Sequence, residues 1–319
     1  MVIFDDIGSF PLPEGIDRKW VEENLVTPEY EEMVRKAFLM KASVVKCPNY
    51  PQFRDMVGQF MELIKNPEMQ DDVYLISEKY AVIKEVEVIA KMGYPDPVRV
   101  CVTGPFELYY REFGPVIYED VLENISKSVE RFIRNAVEML DDVCSVSLDE
   151  PSLGLNPELQ PTEEQMQLAY EPFKIDVDVQ IHLHSPLYYR SMLNVENIDV
   201  FGVEAAKDPR VLDIIEREEV ESAGKRLRIG IARTDIDSIL GEFNQRYGVN
   251  AWKDENLALK AIEEIESVNV IRERFERAEE KFGELLAYTG PDCGLFSFPS
   301  QRCAMKLLEN TAKALGLND

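Results

Sequence analysis

The chain has only two histidines, His182 and His184, and they stand two residues apart. The run that leads into them, Val177–His182, reads as a strand, and on a strand residues i and i+2 point to the same face. Two imidazoles on one face are half of a metal site. Glu204 ends the next apolar run, and Cys293 lies in a turn flanked by Gly290 and Gly294. Together His182, His184, Glu204 and Cys293 form a nitrogen, oxygen and sulfur donor set suited to zinc. Taken singly, each has a plainer reading: a hydrogen-bonded structural histidine, a surface carboxylate, a small buried apolar thiol. What joins them is that all four follow apolar strand-like runs.

Two further clusters occupy equivalent positions. Asp149-Glu150-Pro151 places two acids after the run Val143–Leu148. Such acids serve as a helix N-cap and first-turn charge, or as an anchor for a cationic group such as a substrate ammonium. Gly8-Ser9 follows Val2–Asp6. It reads either as a plain turn between strand and helix or as a cradle of backbone N–H groups for a carboxylate.

The elements that must position these residues alternate along the chain. Strand-like runs are expected at Val2–Asp6, Val73–Ile76, Val98–Val102, Val143–Leu148, Val177–His182, Ile198–Val203, Leu227–Ile231 and Leu285–Tyr288. Several are apolar nearly throughout, as parallel strands covered on both faces are. Between them lie helical patterns at Tyr30–Val45, opened by the cap Thr27 with Pro28 at the first helical position, at Tyr118–Leu140 and at Leu257–Phe282. The alternation predicts an α/β fold, a single (β/α)8 TIM barrel over residues 1–319, with a doubly wound sheet as the competing arrangement. A barrel brings every polar cluster to one rim, the face that hosts active sites.

Composition narrows the partners. Thirty-five basic residues against sixty acidic ones give a net charge of −25. Such a surface repels phosphate backbones and anionic lipid, so nucleic-acid and membrane-surface roles are disfavoured. No apolar stretch is long enough to span a bilayer, and the start Met1-Val2-Ile3-Phe4-Asp5-Asp6 lacks a basic, apolar leader. A cytoplasmic protein is expected. The five cysteines are sparse and form no CxxC pair, which argues against a disulfide framework and leaves room for a functional thiolate.

Ile7-Gly8-Ser9-Phe10-Pro11, Thr103-Gly104-Pro105, Leu148-Asp149-Glu150-Pro151, the histidine-bearing strand, Val203-Glu204 and Pro291-Asp292-Cys293-Gly294 occur in this order. As a set they resemble the catalytic half of cobalamin-independent methionine synthase, and the short archaeal-type members of that family above all. The resemblance implies the barrel shared with uroporphyrinogen decarboxylase and a catalytic zinc that binds a thiol substrate as thiolate for methylation. It implies that Glu204 and Cys293 are zinc ligands. It also implies that Ile7, Gly8 and Ser9 hold the amino-acid end of homocysteine, and that Asp149 binds its amino group. Gln52 is expected to line the same pocket. The family's metal-binding strand carries His-x-Cys, where this chain has His182-Leu183-His184-Ser185-Pro186. Either the two histidines replace that pair, or His184 is the family histidine and Pro186 stands at the cysteine.

Other departures concern the methyl donor. The chain corresponds to the catalytic half alone. Leu155 stands six residues after Asp149, where the resemblance places an acid used for folate. Gly230-Ile231-Ala232-Arg233-Thr234-Asp235 lacks the family's proton-donating histidine. The expected partners are therefore homocysteine or another small thiol and a methylated corrinoid, free or carried by a protein, rather than a folate. Three alternatives stand beside this reading. The first is transfer to another thiol such as coenzyme M. The second is a decarboxylase of the uroporphyrinogen type, disfavoured because no arginine cluster accompanies the first strands. The third is a non-catalytic relative that binds a metal or a metabolite.

Overall fold

The computed structural model describes residues 2–317. Its strands are β1 (Ile3–Phe4), β2 (Gln70–Asp72), β3 (Leu75–Ile76), β4 (Val98–Thr103), β5 (Val143–Asp149), β6 (Asp178–Leu183), β7 (Val200–Val203), β8 (Arg226–Ala232) and β9 (Leu286–Pro291). Seven of them form one sheet in the order β1-β9-β8-β7-β6-β5-β4. The β1–β9, β4–β5, β5–β6 and β6–β7 pairs are parallel, and helices alternate with the strands. This is the α/β barrel class expected from the sequence.

The second strand position differs from the expectation. Val73–Ile76 does not enter the large sheet. Val73 and Tyr74 instead turn the antiparallel pair β2–β3, with Tyr74 at φ 59°. The chain beside β1 is the segment around residues 47–52, joined by the parallel bridges Asp5↔Cys47 and Ser9↔Gln52. That segment contains Pro48 and Pro51, which have no N–H to donate, so it pairs at isolated points rather than as a ladder.

The helices show one further difference. Pro28–Ala42 and Glu119–Met139 match the expected elements closely. Leu257–Phe282 is instead two helices, Glu255–Ile265 and Val268–Phe282. Ser267 caps the second by accepting the Val270 N–H. The break turns the buried Glu266 carboxylate inward, where it accepts from the Arg233 N–H at 3.0 Å and pairs with Arg274 at 2.5 Å.

The chain groups into two compact units. The first comprises the described residues of Met1–Phe53, Glu204–Leu212 and Ile229–Asp319, and the second those of Arg54–Val203 and Asp213–Arg228. Apolar strand residues are buried in both: Phe4, Ile229 and Ile231 in the first, Val100, Val146, Leu148 and Ile181 in the second. Cys47 and Cys144 are each disulfide-bonded, where the sequence argued against a disulfide framework, while Cys101, Cys293 and Cys303 form no disulfide. Cysteines this far apart in sequence leave no spacing signal of the CxxC kind. Among the described residues, no helix is long and apolar enough to cross a membrane.

Candidate metal centre and substrate anchors

His182, His184, Glu204 and Cys293 each offer a donor atom, and these atoms all lie within 4.8 Å of one another. His182 is buried and the other three are partly exposed. The two imidazoles meet edge to face with ring centroids 5.1 Å apart. Gly202 on β7 makes room for the first of them, since a Cβ there would sit 3.3 Å from the His182 ring. A tetrahedral zinc with bonds of about 2.0–2.3 Å separates its donors by roughly 3.3–3.8 Å. Donor atoms within 4.8 Å of one another are near that spacing. Two neutral imidazoles with one carboxylate and one thiolate also balance the charge of a divalent ion, so the residues present fit zinc.

In the first unit, one buried carboxylate aligns two of these donors. The Asp292 carboxylate accepts the Ala205 and Ala206 N–H groups at 2.9 and 3.0 Å, and the Asp292 N–H bonds the Ala232 carbonyl. The turn carrying Glu204 is thereby tied to the residue beside Cys293. Gly230 is required underneath, because a Cβ there would lie 2.1 Å from the same Asp292 oxygen. Burial pushes the Asp292 carboxyl up to about 7, against the pull of the two N–H donors.

The Gly8-Ser9 turn lies in the same unit. The Ile7 carbonyl accepts from Asn49 Nδ2 at 2.8 Å, and the Gly8 carbonyl accepts from the Gln52 N–H at 3.2 Å. Both carbonyls therefore face the 49–52 segment. In a trans peptide the N–H points opposite to its carbonyl, so the Gly8 and Ser9 N–H groups both face away from that segment. Ordinary strands alternate these directions; here Gly8 breaks the alternation at φ +120°, where only glycine sits without strain. Neither N–H donates to an acceptor among the described residues. Two adjacent backbone donors on one side have the arrangement of a nest, a concavity that suits an anion. Gln52 stands beside it, its side-chain amide carbon 3.1 Å from where a Gly8 Cβ would be. Gly294 packs against Ser9: a Cβ at Gly294 would meet the Ser9 hydroxyl at 1.8 Å, and Leu295 donates to the Ser9 carbonyl.

In the second unit, Asp149 ends β5 in register with His182 on β6 and Thr103 on β4. Its carboxylate accepts from the Cys101 thiol at 2.8 Å and from the Ser147 hydroxyl at 3.3 Å. Among the described residues no cation is bonded to it. Glu150 turns the other way. It is fully buried and accepts from the Phe106 N–H (3.0 Å), the Glu107 N–H (2.6 Å) and the Tyr170 hydroxyl (3.0 Å). The Glu150 N–H bonds the His182 carbonyl, which joins this corner to the histidine strand. Gly104 is obligatory, because a Cβ would lie 2.3 Å from the Glu150 carboxyl carbon. Of the two acids, Glu150 is committed to the scaffold, while Asp149 accepts only from the Cys101 thiol and the Ser147 hydroxyl among the described residues.

Burial raises the Glu150 carboxyl from an ordinary 4.5 to about 8. Between those values the unfolded chain loses a proton that the folded chain keeps. The folded state therefore loses stability as pH rises, by up to ~1.4 kcal/mol per pH unit from this group, with no further loss above pH 8. Unfolding measured across that range should show the slope in the wild type and a reduced slope in Glu150→Gln. Equal slopes would show that Glu150 does not carry the effect.

Sequence reasoning named the four metal donors, Ile7, Gly8, Ser9, Gln52 and Asp149. It missed the groups that aim them: Lys41, Asp6, Asn49, Cys101 and Asp292. Lys41 had a visible signal, because it continues the buried stripe Met33, Val34, Ala37 and Phe38 of its helix.

No family model matches the sequence, and no curated protein matches it. Solved structures do. A B12-independent methionine synthase from Shewanella sp. W3-18-1, in complex with selenomethionine, superposes with TM-score 0.62 at 12% identity, covering 99% of this chain and 98% of that one. The chain has the fold of these enzymes. A putative vitamin-B12 independent methionine synthase from Listeria monocytogenes gives TM-score 0.63 at 13% identity, covering 99% of both chains. A methyltransferase from Methanosarcina mazei gives 0.53 at 10% identity, covering 97% of this chain and 94% of that one. At 10–13% identity the likeness is one of fold.

Proposed function

We propose that this protein is a zinc-dependent methyltransferase of the cytosol that makes methionine by methyl transfer to homocysteine, taking the methyl group from a methylated corrinoid. The observation that carries this reading is the convergence of His182, His184, Glu204 and Cys293 on one point. Zinc in such a set lowers the pKa of a bound thiol and keeps it as thiolate at neutral pH.

The chain's own residues orient the rest of the substrate. The Gly8 and Ser9 N–H groups take the carboxylate of the amino acid, with Ile7 and Gln52 as the wall beside them. Asp149 takes the ammonium. The selenomethionine in the Shewanella structure is the product of such a reaction with selenium in place of sulfur, which supports an amino-acid ligand on this fold. The substrate sulfur attacks the methyl carbon, a sulfur–carbon bond forms, and the carbon–cobalt bond breaks with its electron pair leaving on cobalt.

Zinc-loaded protein should bind homocysteine in calorimetry. Asp149→Asn should weaken that binding by about 1–3 kcal/mol, the scale of a lost charge-assisted hydrogen bond. Unchanged affinity in the variant would remove Asp149 from the anchor role.

A second reading is transfer to another small thiol such as coenzyme M; the likeness to a methyltransferase from Methanosarcina mazei fits methyl transfer of either kind. A sulfonate thiol has no ammonium for Asp149, and the carboxylate would repel it. Binding of 2-mercaptoethanesulfonate in preference to homocysteine would establish that alternative.

A further inference from the structure

Lys41 is fully buried, on the apolar face of the helix Pro28–Ala42. Its ammonium meets Asp6 Oδ2 at 2.6 Å, the Asn49 carbonyl at 2.8 Å and the Gly8 carbonyl at 3.3 Å. These three acceptors match the three protons of an ammonium group. Asp6 is itself buried, and its second oxygen accepts the Asn49 N–H at 2.8 Å. Asn49 in turn holds the Ile7 carbonyl. The whole arrangement lies behind the Ile7-Gly8-Ser9 turn.

A buried ion pair is a poor device for stability alone, because apolar residues of similar volume commonly serve as well or better. The position of Lys41 on an apolar stripe makes that replacement easy to imagine. Its connection to the Gly8 carbonyl gives the pair another task. Gly8 C=O and Ser9 N–H belong to one peptide group. A cation bonded to the carbonyl fixes the plane of that group and withdraws electron density from it, making the opposite N–H a stronger donor, as hydrogen bonds in a chain reinforce one another.

We propose that Lys41 is a positioning residue for the ligand carboxylate: bonded to the Gly8 carbonyl and balanced by Asp6, it aims and polarises the Ser9 N–H. This rests on the reading of the Gly8-Ser9 nest as the carboxylate site. Lys41 does not touch the ligand. Its effect is confined to ligands that bear a carboxylate, which separates positioning from a merely structural role.

The test compares homocysteine with homocysteamine, which lacks the carboxyl group, on zinc-loaded protein by calorimetry. Wild type should prefer homocysteine by roughly 10- to 100-fold, the range of charged hydrogen bonds. In Lys41→Gln and Lys41→Met that preference should fall to about threefold or less, while homocysteamine affinity stays within about twofold of wild type. A preference retained in the variants overturns the role of Lys41 and leaves the nest intact. No preference in the wild type overturns the nest and this proposal together. Equal weakening of both ligands shows a structural role and also overturns it. Should neither variant fold, the wild type with isotope-labelled lysine supplies the second readout. The Lys41 ammonium resonance should shift on adding homocysteine and stay in place with homocysteamine, and a resonance unmoved by both would refute the proposal.

Discussion

Cys293→Ser should weaken zinc binding by roughly 10²–10³-fold, dividing the ~10–16 kcal/mol typical of a four-ligand zinc site equally among its donors. Wild type, loaded and freed of excess metal, should hold one zinc per chain. The variant should lose it to a chelator that leaves the wild type loaded. His182→Ala and Glu204→Gln should behave alike, since each removes one of four donors whose atoms lie within 4.8 Å. Asp292→Ala should act more weakly, by about 10–100-fold, because it frees the Ala205 and Ala206 N–H groups and loosens Glu204 without removing a ligand. Competition with a chromophoric chelator measures all four. Retention of full affinity in Cys293→Ser would show that the cluster is not the zinc site. A series with the three donor variants lowest and Asp292→Ala between them and wild type would show donors and their support acting in their expected order.

Much of this was legible in the sequence because of how parallel sheets are buried. Strands covered on both faces read as continuous apolar runs, so β4, β5, β6, β7, β8 and β9 stood out, and the polar residues after them marked the rim. The second strand position did not, because Cys47-Pro48-Asn49-Tyr50-Pro51-Gln52 is neither continuously apolar nor able to donate at its prolines. The break at Glu266-Ser267 was hidden by a helical pattern that continues across it. Its cause lies in tertiary structure, where the Glu266 carboxylate reaches Arg233 and Arg274.

The site divides along the same line. Rare residue types at strand ends announced themselves: the two histidines, Glu204, Cys293 and Asp149. The residues that aim them are common types whose role depends on long-range partners. Cys101 matters because Asp149 lies beside it across β4 and β5, and Asp292 because the turn after Glu204 folds back onto it. Nothing within a few residues of either gives that away. Lys41 is the intermediate case, a charge on an apolar stripe, where the pattern marks an exception but not its purpose.

Methyl transfer should proceed from a methylated corrinoid and be slower by roughly 10²–10⁴-fold, the usual worth of general acid catalysis, from methyltetrahydrofolate. A folate nitrogen leaves only if it gains a proton, whereas cobalt departs with the bonding pair and needs none. Both histidines of the chain belong to the metal cluster. Two carboxyls have pKa values raised far enough to carry a proton near neutrality, Glu150 at about 8 and Asp292 at about 7. Both are buried and committed to backbone N–H groups, Glu150 to Phe106 and Glu107 and Asp292 to Ala205 and Ala206. Both carboxyls are thus engaged in holding backbone rather than left open as proton donors. Leu155, at the position the resemblance gives to a folate-binding acid, is 54% exposed and offers no charge. The paired assay uses zinc-loaded protein, homocysteine and each donor in turn. Turnover with methylcobalamin or a methylated corrinoid protein and little with the folate is the expected outcome. The reverse pattern would overturn the donor assignment and require a proton source outside these groups. Binding of zinc and homocysteine without turnover from either donor would favour a relative that binds the metal and the amino acid without transferring a methyl group.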